Sequence, residues 1–434
     1  MPTKTLVIAL DAVDFNSCRL AQEAGAAPYL QSLFEKLSTR PVHYEASTSD
    51  DAVWATFQYG LEIGDHGRYF WKRENRSPRG GYQYVDMGEE HLQPFWLEAP
   101  FAQQNIAIFD MPKMRVVQPY RGIHLANWLV HGRYGLDGAT SAPPEVARHV
   151  RDTFGEPPPS ICATHQTAFS QAQIEDCVAH LLHSIDMKAR AAEHYLAKAS
   201  WDCFMTSFKE LHCASHALWD QLPERPEELK STAFFRLFQS TDRAVEKLVS
   251  KAGDDCHLCL FSTTGIAPTS SVTHLTKALL EEAGKRLTSR WELALRGAPF
   301  HPMPYNENGL AVKISRQWRS RREQLQESLA GFLSEVTAHR EGSPIFDPPV
   351  NSGAAWQGEA TDQLPHLIFP LKSGLGRPAA LYLQAKELVR GETGPLRQGN
   401  HYGDGFCCLS PGFEQHLPPG KVRLSQLGRA TLSL

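Results

Sequence analysis

With 434 residues, 42% hydrophobic and 21% charged, the chain has the balance of a folded protein with one large core or two smaller ones. Its formal net charge of −4 excludes a surface built to coat nucleic acid or an anionic membrane, because both uses need an excess of basic groups. A small-molecule partner is expected, with no nucleic-acid polymer and no membrane.

The chain starts "MPTKTLVIALDAVDF", where one lysine precedes an apolar run too short for a signal-peptide core or a bilayer span. A cytoplasmic location is expected. Nine cysteines without a secretion signal read as reduced thiols. Cys256 and Cys259 in "CHLCLF" fall in a predicted buried strand with no matching second pair, so no zinc site is expected there.

The run from Thr5 to Leu10 is apolar without alternation, as in a strand covered on both faces, and it ends at Asp11. The helix-like "NSCRLAQEAGAAPYLQSLFEKL" follows, and strand then helix predicts a parallel α/β sheet. Next comes "TSDDAVWATFQYGLEIGDHGRYFW", where hydroxyls and carboxylates precede an apolar helical stretch. Residues 72–170, with "SPRGG" and "GEPPPS", are irregular and are expected to insert as a cap or lid. Residues 173–199 form an amphipathic helix leading into strand-like "WDCFMTSF" and then "KELHCASH". A second long helix is expected over "PEELKSTAFFRLFQSTDRAVEKLVSKAG", leading into "CHLCLFSTTG". Residues 286–375, rich in Pro, Gly and Arg, are expected to be a second insertion into a single domain spanning 1–434.

In open parallel sheets the ligand crevice lies at the carboxyl ends of the strands. Asp11, the segment after residue 208, and "STTG" from Ser262 are therefore expected to lie together. His212 and His216 are four residues apart, which sets both rings on one face of a helix, and His401 sits in the Gly-rich "QGNHYGDGF". Singly, each has a plain structural explanation: an Asp after a strand is commonly a helix cap, and a His pair at helical spacing is commonly a surface face.

Their order along the chain adds information. "VIALDAVD", "APYLQSL", the Trp54–Gly67 stretch, "HCASHALWD", "FSTTG" and "GNHYGDGF" resemble the landmarks of the type I phosphodiesterase/nucleotide pyrophosphatase group of the alkaline phosphatase superfamily. The resemblance implies a mostly parallel sheet flanked by helices, a divalent metal, usually zinc, and hydrolysis or transfer at a phosphate, phosphodiester, pyrophosphate or sulfate ester. It implies Asp11 as a carboxylate of the ion beside the nucleophile, and His216 and His401 as ligands of the other ion.

Three departures shape the expected site. Where the family carries its Thr or Ser nucleophile, four residues before Trp54, stands Asp50, with Asp51 beside it and Ser49, Thr48 and Ser47 as the nearest hydroxyls. Ser49 would attack as a hydroxyl; Asp50 would be a ligand, base or nucleophile. The family's Asp before its "H-x-x-W" is His212 here, giving a three-imidazole set. The family's "S-D-H-G" is replaced at Thr263 and Thr264, which are poor zinc ligands and are kept only as additional metal or substrate contacts. A second ion would then be weakly held by Asp11 with Asp50 or Asp51, and oxygen ligands of that kind favour magnesium or manganese. The same departures leave two other readings: the fold recruited to a different tailoring reaction with a single metal, or a non-catalytic binding protein.

Overall fold

The apolar run after Lys4 forms the strand Lys4–Leu10, buried from Thr5 onward, and it lies inside an eight-stranded sheet. The structure is a computed structural model that describes residues 4–43, 49–74, 82–84, 92–119, 121–130, 138–159 and 169–434. From one edge, the strands run Ser38–Val42, Gly399–Leu409, Cys256–Pro268, Lys4–Leu10, Cys203–Phe208, Asn105–Phe109, Arg121–Ala126 and Thr140–Ala142. The five from Cys256–Pro268 to Arg121–Ala126 are mutually parallel, and antiparallel pairings close the sheet on both sides.

Helices cover both faces. On one face the helices Phe15–Glu23, Pro28–Lys36, Gln171–Lys198 and Ala233–Ala252 enclose a core built around Leu6, Ile8 and Phe204. On the other, Trp54 and Phe57 of the helix Asp50–Tyr59 pack with Val7, Ala9 and Phe261. Because both faces are buried, the parallel strands need apolar residues at successive positions, which is why they show no alternation.

A second, antiparallel sheet is ordered Phe300–Met303, Gly309–Ile314, Leu367–Pro370 and Val350–Asn351. It carries its own core with the helices Thr276–Leu287 and Arg322–Leu333. This sheet is what residues 286–375 form.

Four expectations are corrected. Residues 72–170 are not wholly a cap, because Asn105–Phe109, Arg121–Ala126 and Thr140–Ala142 are strands of the central sheet. These strands are short and separated by loops, so no helix-sized period announced them. The second long helix is interrupted: Pro226–Leu229 is a separate turn of helix, and the long helix runs Ala233–Ala252 from Thr232 at its N-cap. "STTG" is not a strand end; its strand continues to Pro268, paired with Gly399–Leu409 on both sides of an irregularity between His401 and Asp404. Cys213 is disulfide-bonded, while the seven other cysteines of the described residues are free thiols. Pairing through space leaves no mark in spacing. Among the described residues no helix is long and apolar enough to cross a membrane.

The stretch Trp54–Gly67 is held by a buried histidine. His66 Nδ1 accepts from the Arg68 backbone N–H at 3.1 Å, so Nε2 carries the proton and faces Thr56 Oγ1 at 3.0 Å. Thr56 Oγ1 in turn donates to the Ala52 carbonyl. Burial, with Arg68 nearby, pushes His66 down to about 3. It is neutral in the fold but takes up a proton in the unfolded chain below about 6.5, so its contribution to stability is lost as pH falls from about 6.5 towards 3. In urea titrations across pH 6 to 4.5, His66→Gln should flatten the fall in stability by about one proton, or about 1.4 kcal/mol per pH unit. A variant slope equal to that of the parent protein would show that His66 does not carry this dependence.

Candidate metal centre

Two strand ends and one antiparallel strand build the site. Ala9 pairs with Ser207 on one side and with Phe261 on the other, so Asp11 leaves its strand beside the exit of Cys203–Phe208 and beside Thr263. The Asp11 N–H donates to the Phe208 carbonyl at 2.9 Å, and the Val13 N–H donates to Ser262 Oγ at 2.8 Å, which fixes the chain just past the strand. The carboxylate is 1% exposed. Its Oδ1 accepts from Trp54 Nε1 at 3.2 Å and its Oδ2 meets His212 Nδ1 at 2.8 Å.

His212 and His216 lie in the helix Glu210–Leu218, which is buried along its whole length. The four-residue spacing sets both rings on one side of the helix, where they meet edge to face with centroids 4.5 Å apart. His401, from Gly399–Leu409, completes a triangle with centroids 4.7 and 5.2 Å from the other two. All three are buried, and a ligating atom of each lies within 4.8 Å of the others. Among the described residues they form the one such group able to hold a metal.

The hydrogen bonds assign the ring nitrogens. His212 gives its Nδ1 proton to Asp11, and His216 gives its Nδ1 proton to the Gly399 carbonyl at 2.7 Å. Both Nε2 atoms are then lone-pair donors, and they face each other at 2.6 Å. Arg397 Nη1 lies 3.3 Å from the Nε2 of His216, so the two lone pairs and one guanidinium donor converge on a single spot. Burial, then Arg397 and the neighbouring imidazoles of His212 and His401, hold His216 well below the ordinary imidazole range. A divalent ion would take both Nε2 atoms as ligands once they part from 2.6 Å to about 3.3 Å, the spacing that bonds of about 2.0–2.1 Å require at a tetrahedral ion, and the Nδ1 atoms of His212 and His216 have the carboxylate and carbonyl partners that metal-bound histidines characteristically use.

Gly399 makes this approach feasible. A Cβ there would lie 2.3 Å from the Ser215 carbonyl, so only glycine lets the strand come close enough for its own carbonyl to reach His216.

The other expected residues divide. Ser49 is the N-cap residue of Asp50–Tyr59 and is 1% exposed, but its hydroxyl donates to the Tyr69 carbonyl at 3.3 Å instead of capping the helix. Asp51 is buried, with Lys113 Nζ 3.7 Å from its carboxylate. The side chain of Asp50 and the residues Ser47 and Thr48 lie outside the described residues. Thr264 Oγ1 donates to the Gly265 carbonyl at 2.9 Å and reaches that of Gly403 at 3.3 Å, so its hydroxyl is committed to backbone. Thr263 Oγ1 is buried without a hydrogen-bond partner among the described residues. It follows Phe261 on the face that packs against Trp54.

Sequence reasoning missed Lys113, Arg397 and Glu307. Lys113 follows the unrecognised strand Asn105–Phe109, and Glu307 lies in a turn of the second sheet. Arg397, four residues before His401, was readable only as one more basic residue in a loop.

The overall architecture matches solved structures at low identity. The phosphonoacetate hydrolase of Sinorhizobium meliloti 1021, in complex with phosphonoformate, superposes with a TM-score of 0.60 at 12% identity, over 99% of this chain and 95% of that one. The chain has the alkaline-phosphatase-like fold. The alkaline phosphatase PafA gives a TM-score of 0.56 at 9% identity, over 98% of this chain and 94% of that one. Murine ectonucleotide pyrophosphatase/phosphodiesterase 5 gives 0.52 at 12% identity, over 98% and 93%. No family model and no curated protein sequence matches the chain.

Proposed function

We propose that the protein is a metal-dependent hydrolase or transferase acting on a small anionic ester: a phosphate, a phosphodiester or pyrophosphate, or a sulfate. The observation that carries this is the convergence of His212, His216 and His401, all buried, with a ligating atom of each within 4.8 Å of the others. The similar structures add support, since they are a phosphonoacetate hydrolase, a nucleotide pyrophosphatase/phosphodiesterase and an alkaline phosphatase.

His212, His216 and His401 would hold the ion, and three neutral nitrogen ligands with an open position suit zinc. When bound, it supplies Lewis-acid stabilisation of the charge that develops on an ester oxygen. Asp11 fixes the ring and tautomer of His212, and through Trp54 it connects the centre to the helix Asp50–Tyr59. Ser49 at the start of that helix is the candidate nucleophile, and Asp50 the alternative; a positive helix end and Lys113 both favour an anion there. Asp11 is already engaged on both oxygens and Thr264 on backbone, which leaves little to bind a second ion such as magnesium or manganese.

That shortage favours a second reading, in which the same fold with a single metal carries out a different tailoring reaction. The zinc-loaded protein should be assayed against p-nitrophenyl phosphate, bis-p-nitrophenyl phosphate, p-nitrophenyl sulfate and phosphonoacetate. We expect turnover of at least one, with Ser49→Ala slowing it by about a hundredfold or more. Tight zinc binding with no turnover of any of them would favour the tailoring reading. Absence of bound metal would eliminate both and leave a non-catalytic binding protein.

A further inference from the structure

Arg397 reaches the centre from outside the three-imidazole set. Its Nη1 lies 3.3 Å from His216 Nε2, the nitrogen that faces the cluster, and its Nε donates to Glu307 Oε2 at 2.9 Å. The two side chains are 20% and 18% exposed, so the pair stands at the rim of the buried site. Glu307 comes from the turn between Phe300–Met303 and Gly309–Ile314, so the contact joins the second sheet to the centre.

A guanidinium is always charged, planar and able to donate to two oxygens at once. Holding it by Nε with a carboxylate fixes the plane of the fork while Nη1 faces the cluster. A metal ion on His216 Nε2 would take the lone pair that Nη1 now faces and set two positive charges side by side, which is unfavourable unless an anion lies against both. A tetrahedral oxyanion satisfies both, because it has separate oxygens for each. We infer that Arg397 is a substrate-binding residue that takes the non-bridging oxygens of a phosphoryl or phosphonyl group at the three-imidazole centre, and that Glu307 is its positioning residue. This rests on the metal-dependent reading above.

The test uses the full chain loaded with zinc, with zinc content measured in every variant and inorganic phosphate as the probe in titration calorimetry. Arg397→Met should retain zinc and weaken phosphate binding by about 10- to 100-fold, the usual loss of a charged hydrogen-bonding pair. Glu307→Gln, which leaves the guanidinium in place but frees its plane, should weaken it less. Arg397→Lys keeps the charge and loses the fork; it should weaken phosphate roughly fivefold and serves if the methionine variant does not fold. Zinc-loaded protein that ignores phosphate, or an Arg397→Met variant that holds zinc and binds phosphate as the parent does, would overturn the inference. A parent protein that takes up no zinc would instead overturn the functional reading, and this inference with it.

Discussion

Protein purified without chelators is expected to carry about one equivalent of zinc, and His216→Ala to carry almost none. Two of the three imidazoles enter the set with one nitrogen already committed: His212 to Asp11 and His216 to the Gly399 carbonyl. The ion would therefore use the remaining Nε2 atoms and leave these two hydrogen bonds in place. Removing His216 leaves two imidazoles, too few for a tight tetrahedral site. Asp11→Asn tests the outer contact separately. An amide in place of the carboxylate weakens the hold on the His212 ring, and zinc affinity should fall by about 10- to 100-fold with the fold intact. Elemental analysis and chelator competition read both effects. Parent protein with less than about a tenth of an equivalent of zinc would show that the three imidazoles are not a metal centre.

A second large effect is expected outside the three-imidazole set. Lys188, in the middle of the helix Gln171–Lys198, is 1% exposed and pairs with the Asp110 carboxylate, which is fully buried. Lys188 Nζ also donates to the Asp110 carbonyl at 3.1 Å, and Ser207 Oγ donates to the same carbonyl at 3.0 Å. The Asp110 carboxylate accepts from the Trp128 and Leu129 N–H groups at 2.9 and 2.8 Å. Lys188→Met removes one charge and leaves the other buried, at a cost of about 3–5 kcal/mol. The double variant Lys188→Met/Asp110→Asn should lose less than the sum of the two single losses, because the two share one interaction. Chemical denaturation of the four proteins decides this. A Lys188→Met variant as stable as the parent would mean that the buried pair contributes nothing.

The sequence made the fold legible where burial dictates composition. Continuous apolar runs at Thr5–Leu10, "WDCFMTSF" and "CHLCLF" disclosed three adjacent parallel strands, and the order of the motifs disclosed the superfold. The short strand Asn105–Phe109 was missed because five residues carry no period distinct from a buried loop. At the site, the i, i+4 spacing of His212 and His216 was readable because a helix converts sequence distance directly into spatial distance. Their convergence with His401 is given by the structure, since it depends on a strand approaching across 183 residues at Gly399. The contacts of Asp11 were also out of reach. Sequence gives a carboxylate after a strand, and only the packing of Trp54 and His212 occupies its two oxygens.

The turn between Phe300–Met303 and Gly309–Ile314 touches the centre at two consecutive residues. Glu307 holds the Arg397 guanidinium, and the Asn308 side-chain amide donates to the His401 carbonyl, while the Asn308 carbonyl accepts from the Leu371 N–H. The antiparallel sheet thus grips one metal-facing imidazole by its backbone and the neighbouring cation by its side chain, through a lever two residues long. Any tilt of that sheet bears on both points together, and through Arg397 it also reaches His216. The imidazoles themselves are carried by the central sheet and its helix, so the second sheet acts as a brace on one side of the centre.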